Sequence, residues 1–409
     1  MTASERVAGS GPRAWLAVPA IWLRPAVYGL FSFQVYRGVR QPLDAFSESY
    51  WLVNYSHGFI RRGLTGSVLD ALVGRPTPFW VEGAALVLAL LALAGLLILI
   101  EALLRRSTRS SLSLALLLAV SPMSVSFLAS QRRPDEIGVV LLLLLGWLLN
   151  RNRRRSPAVC AGIGLAFGAL VLVHEGVILE YLPFAVVLAV ALGPGAVTNR
   201  MEAKGLDRND VAGIAWLVGP SLLAVLMVVA FGRVSPATAE LLRSHEAFRP
   251  SGPTNGFTMF DFLSQSLHGA VSFVLHGPKK AHAAMLLLGG VLLILHAVWL
   301  RLWGGLRPWR TVAIHSARLT AAALTTLVVA ASAALFLTGI DWLRWFCALT
   351  LAGMITVAYL VLPKGDKPTS VEVRISPIMA VVGLYLVSIP PLPTSAAAQT
   401  CLRLLFTHG

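Results

Sequence analysis

The chain has 409 residues, 56% of them hydrophobic and 13% charged, with a mean hydropathy of +0.73 and a formal net charge of +15. Those values exclude a soluble globular domain and describe an integral membrane protein. Most Lys and Arg stand in short clusters between apolar runs, so the positive charge orients helices and gives no reason to expect a nucleic-acid partner.

The opening residues 1–13, "MTASERVAGSGPR", are polar and lack a short apolar core with a small-residue cleavage site, which predicts a cytoplasmic tail with a retained first membrane segment. Apolar runs long enough to span a bilayer, roughly 20 residues each, fall near 14–36, 79–104, 110–129, 136–150, 157–174, 176–192, 211–231, 281–303, 319–338, 343–362 and 375–393. The expected fold is therefore an all-α polytopic bundle of about eleven spans (10–13) over residues 14–393, with a short tail at 394–409. The first span is interrupted by Arg24-Pro25, and "HGAVSFVLHG" before residue 280 reads as a re-entrant or interfacial helix.

The basic loops 105–109, 151–155, 199–208, 301–310 and 364–367 alternate so that they share one side, which the positive-inside rule makes cytoplasmic. Segments 37–78, 130–136, 174–176, 232–280 and 339–344 then face outward, and 37–78 and 232–280 are the longest polar insertions. The expected home is the bacterial inner membrane. Cys160, Cys347 and Cys401 lie in or near apolar segments without the close spacing of a zinc knuckle or redox pair.

The charges that orientation leaves unexplained collect on the outer side. Asp44 and Glu48 fall four apart on one face if residues 43–53 form an interfacial helix, beside the aromatic anchors Tyr50 and Trp51. In "NYSHGFIRRGL", Tyr55 and His57 precede the adjacent Arg61 and Arg62. Two arginines on the disfavoured side either snorkel to headgroups or present planar forks to phosphate oxygens, which lysine cannot match.

Arg132, Arg133, Asp135 and Glu136 repeat the theme in "ASQRRPDEIG", where Pro134 and the acids also suit an ordinary helix start. His174 and Glu175 break an apolar run, with Glu180 and Tyr181 one to two turns on; such groups at membrane depth usually face a cavity. "HEGVI" lacks the second His of a zincin helix, so His174 reads as a proton donor or phosphate contact. Asp341 and Arg344 stand three apart, close enough to pair.

At "NYSHGFIRRGLTG", "RRPDE", "VHEG" and "DWLRW" the chain resembles a group of bacterial polytopic membrane proteins similar in plan to the GT-C superfamily of membrane glycosyltransferases. The resemblance implies an enzyme acting on a polyprenyl-phosphate-linked sugar donor, with a glycan or lipid acceptor, in cell-envelope or exopolysaccharide assembly. It implies Asp44, or failing it Glu48, as the catalytic carboxylate of the first outer loop, the base that takes the acceptor's proton. No cofactor is read from the residues, and a divalent metal stays open. A polymerase or ligase of lipid-linked oligosaccharides, a lipid or solute transporter, and a scaffold whose charges are only anchors are the rival readings.

Overall fold

The computed structural model describes residues 16–18, 20–151, 156–192, 208–244, 258–276, 279–302, 318–338, 341–362 and 373–375, together with positions 383, 386 and 389. Both expected tails and most of the basic loops lie outside these residues. The described chain is helical, apart from a three-residue antiparallel pairing of Leu16–Val18 with Val373–Ile375.

In chain order the helices are α1 (Ala20–Val39), α2 (Ala45–Tyr50), α3 (Leu64–Val73), α4 (Pro78–Arg106), α5 (Arg109–Val120), α6 (Val125–Gln131), α7 (Ile137–Arg151), α8 (Ser156–Val171), α9 (Val177–Glu180) and α10 (Leu182–Leu192). They continue with α11 (Arg208–Phe231), α12 (Pro236–Ser244), α13 (Phe260–Leu263), α14 (Leu267–His276), α15 (Lys279–Leu302), α16 (Arg318–Thr338) and α17 (Trp342–Val361). A helix stands at each expected apolar segment except 375–393, most of which is outside the described residues.

The expected count of about eleven spans is met in part. Among the described residues, five segments are long and apolar enough to cross a membrane: Pro78–Arg106, Arg109–Gln131, Arg208–Phe231, Ala283–Arg301 and Trp342–Val361. The reason is length. Helix α7 has 15 residues, α8 has 16 and α10 has 11, against the roughly 20 that a bilayer core requires. Helix α1 has 20 residues but carries Arg24, Pro25 and Arg37.

Burial sorts the helices into layers. Every residue of α10 is buried, as are most of α5 and α17, which is the pattern of helices apolar all round and enclosed by others. Around them α4, α11 and α15 keep large apolar side chains such as Leu91, Ile98, Val229 and Ile294 on the outside, the surface that lipid would cover. The insertion between α1 and α4 is short-helical, with α2 and α3 packed under a second apolar cluster that includes Tyr50, Ile60, Met259 and Phe260.

Helices α8 and α11 approach closely because the sequence offers small residues there. "GLAFG" places Gly164 and Gly168 four apart on one face, the spacing that lets membrane helices touch backbone to backbone. A Cβ on Gly164 would lie 2.1 Å from the Trp216 carbonyl oxygen, and one on Gly168 would meet Pro220 at 3.1 Å. Gly162 has open space around its Cβ position. Gly164→Ala is therefore expected to lower stability in detergent by about 1–3 kcal/mol, the cost of overpacking, whereas Gly162→Ala leaves the thermal midpoint unchanged or slightly raised. Equal midpoints for the two variants would remove the close approach as a source of stability.

Candidate functional site

Connectivity brings the segments expected to face outward together. Helix α4 starts against α2 and α3, sharing a cluster with Tyr50 and Leu69, while Arg105, Arg106 and Arg151 close α4 and α7 at their other ends. The backbone itself ties the first insertion to the end of α11, since the Arg61 N–H donates to the Gly232 carbonyl at 2.8 Å.

Asp44 has a structural task. Its side chain accepts from the Ser47 backbone N–H at 2.6 Å and caps α2, so the helix expected over 43–53 runs only from Ala45 to Tyr50. The carboxyl stays half-buried. Glu48, one turn on, is buried at 4% exposure. Asp44 and Glu48 therefore do not share an exposed face.

Arg62 sits in the left-handed backbone region, φ 65°, which a non-glycine residue holds only when its surroundings fix it. What fixes it is Glu175, 113 residues away: the Arg62 fork donates from Nε at 2.8 Å and from Nη2 to the two carboxylate oxygens. Its Nη1 also donates to the Met259 sulfur at 2.8 Å and to the Tyr50 hydroxyl oxygen at 3.3 Å. Burial alone would raise the Glu175 carboxyl, but the Arg62 charge and hydrogen bond hold it far below the usual carboxylate range.

Arg61 is placed differently. Its Nη1 lies 3.7 Å from Glu175, while its Nε and Nη2 are buried and have no hydrogen-bond partner among the described residues. Burial pulls its pKa down to about 10, which leaves the guanidinium charged at neutral pH.

The second network centres on Arg344. Its Nη1 pairs with Asp135, its Nη2 donates to Glu180 at 3.0 Å, and its Nε donates to Asp341 at 2.7 Å. Asp341 also accepts from Arg133 at 2.8 Å, and the Arg133 Nε donates to the Ser47 hydroxyl at 2.9 Å. Arg344, Asp135 and Glu180 are sealed from solvent, at 3%, 1% and 0% side-chain exposure. Tyr50 links the two networks: its ring lies 5.7 Å from the guanidinium carbons of both Arg62 and Arg133 and 5.7 Å from the His174 ring.

His174 is buried, and its Nδ1 has no partner among the described residues. Burial, with the nearby Arg62 charge, drives its pKa well below the ordinary imidazole value, so the ring is neutral.

The structure thus joins Arg61, Arg62, Arg133, Asp135, His174, Glu175, Asp341 and Arg344 at one end of the bundle, with Asp44 at its edge. It leaves others aside. His57 is exposed beside the Ser56 hydroxyl, and Tyr55 stacks on Phe59. Arg132 turns its guanidinium to the Gln41 carbonyl and lends its own carbonyl to the Trp51 indole. Glu136 is buried with both carboxylate oxygens unpartnered among the described residues; burial, then the Asp135 charge, pushes its pKa well up.

Ser47 and Met259 belong to the networks without any role read from the sequence, and Tyr50, expected only as an interfacial anchor, sits between them. Glu180 had the clearer signal, a carboxylate inside the apolar run "GVILEYLP".

The family model described as uncharacterised membrane protein Rv1490 matches residues 21–247. Uncharacterized proteins Rv1490 of Mycobacterium tuberculosis and Mb1527 of Mycobacterium bovis are each 27% identical over 396 residues, covering 87% of this chain and 84% of theirs. No solved structure matches the chain. The matched region takes in α1 to α12, with both insertion arginines and the His174–Glu175 pair, and the chain belongs to the Rv1490 family of membrane proteins.

Proposed function

We propose that the protein is a membrane glycosyltransferase of GT-C-like plan, which transfers a sugar from a polyprenyl-phosphate-linked donor at the extracytoplasmic rim. The observation that carries this reading is the Arg61 fork. Two buried guanidinium nitrogens without a partner among the described residues are costly, and a phosphate bearing two non-bridging oxygens is a ligand that satisfies both.

In the reaction the acceptor hydroxyl attacks the anomeric carbon as the bond from that carbon to the phosphate oxygen breaks, with inversion. Asp44 takes the hydroxyl proton; one of its oxygens is committed to the α2 cap and the group remains half-buried at the edge of the site. Arg61 stabilises the departing polyprenyl phosphate. Arg62 is committed to Glu175, so it positions the Arg61 segment and does not compete for the phosphate. The basic clusters at the opposite end of the bundle support an outward-facing site by the positive-inside rule.

The transporter reading is the weaker one, since it asks for charges or broken helices near the bilayer midplane and these networks stand at helix ends. Arg61→Lys is expected to lower transfer about 10- to 100-fold, the loss of one or two charge-assisted hydrogen bonds, in a protein that inserts and melts as wild type. Arg62→Lys should reduce both transfer and thermal stability, because it breaks the Glu175 fork. Unchanged transfer in both variants would remove Arg61 as a phosphate contact and leave the pair a structural one.

A further inference from the structure

We propose that Asp135, His174 and Glu180 form a binding site for one divalent transition-metal cation. Each offers a ligand atom, and the three atoms lie within 4.8 Å of one another. All three side chains are more than nine-tenths buried.

Proximity of acids is by itself no site. What points to a ligand is that Asp135 Oδ1, His174 Nδ1 and Glu180 Oε2 are all buried and all without a hydrogen-bond partner among the described residues. Each of the three residues that bring a ligand atom to this cluster thus also carries a buried polar atom that lacks a partner among the described residues. A cation satisfies all of them at once.

The surroundings are built to hold the ligands still. Arg344 grips the other oxygens, Asp135 Oδ2 and Glu180 Oε1, which orients both carboxylates as outer-sphere partners do in metal sites. Gly176 keeps the space between His174 and Glu180 open: a Cβ there would stand 2.6 Å from His174 Cε1, 3.0 Å from His174 Nδ1 and 3.5 Å from Glu180 Oε1. The short loop and helix from His174 to Glu180 put the imidazole and the Glu180 carboxylate on one side, and Pro134–Glu136 brings Asp135 to meet them. "HEGVI" alone lacks a second ligand at zincin spacing, and the fold supplies it from another loop.

Two carboxylates and one imidazole are a borderline donor set that suits Mn2+ or Zn2+ better than Ca2+ or Mg2+. Bond lengths of about 2.0–2.2 Å require the donors to close in by side-chain rotation from their present separations. The site is independent of the sugar-transfer reading and stands or falls on binding alone.

The test uses full-length protein purified in detergent, stripped with chelator and titrated with Mn2+. One Mn2+ per chain is expected, with imidazole nitrogen coupling in its pulsed electron paramagnetic resonance spectrum. His174→Gln should weaken binding at least about tenfold while the thermal midpoint of the metal-free protein is retained, and Gly176→Ala should weaken binding as well, because its Cβ would stand 2.6 Å from His174 Cε1. Bound Mn2+ without nitrogen coupling, equal affinity in His174→Gln, or no binding in a folded wild type would each overturn the site; the last would assign the three atoms to a shared proton. The wild-type spectrum decides the matter even if a variant fails to fold.

Discussion

Replacing Arg344 with methionine should destabilise the protein by about 3–5 kcal/mol, the cost of leaving buried charges without their partner. The effect is large because one guanidinium serves Asp135, Glu180 and Asp341 at once, and two of these have no route to solvent. Arg344→Lys keeps the charge but cannot offer three directed donors, so it should fall between methionine and wild type. Thermal unfolding in detergent reads the difference. If Arg344→Met melts within a degree or two of wild type, the carboxylates are satisfied by other means and the network is not what holds these loops.

Asp44→Asn should abolish sugar transfer, by about 100-fold or more given the usual contribution of a positioned general base, while the fold is unchanged. The separation of the two effects follows from the geometry. Asp44 caps α2 through an oxygen that accepts from Ser47 N–H, and asparagine caps as well as aspartate. The amide cannot take a proton. Asp44→Ala removes the cap too, and should add about 1 kcal/mol of destabilisation to the loss of transfer. Donor binding, which rests on Arg61, should survive in Asp44→Asn.

Membrane class and helix positions were legible because apolar runs and basic clusters are local signals. So was the Asp341–Arg344 pair, three residues apart on one turn. Spans were harder: α8 and α10 are apolar enough but only 16 and 11 residues long, and their ends depend on loop chemistry that hydropathy does not report. Asp44 looked like a member of an acidic helical face because its four-residue offset from Glu48 was visible, whereas its extended backbone, ψ 157°, which makes it a cap, was not.

Long-range pairing left no local trace. Nothing near Arg62 names Glu175 across 113 residues, nor does anything near Asp135 name Arg344 across 209. These partners are chosen by how the helices pack, and packing also decides that His57, in the same loop as Arg61, ends exposed. Glu180 shows the converse, since a carboxylate inside an apolar run is expensive and its partner could be found only in three dimensions.

The most direct test of the central claim is transfer itself. Purified protein is reconstituted in vesicles with a radiolabelled polyprenyl-phosphate hexose and a cell-envelope acceptor extract, and label leaving the donor is counted for wild type, Arg61→Lys and Asp44→Asn. The account predicts label in the acceptor fraction with wild type, much less with Arg61→Lys, and background with Asp44→Asn. Background counts with folded wild type, or equal counts in Asp44→Asn, would contradict it.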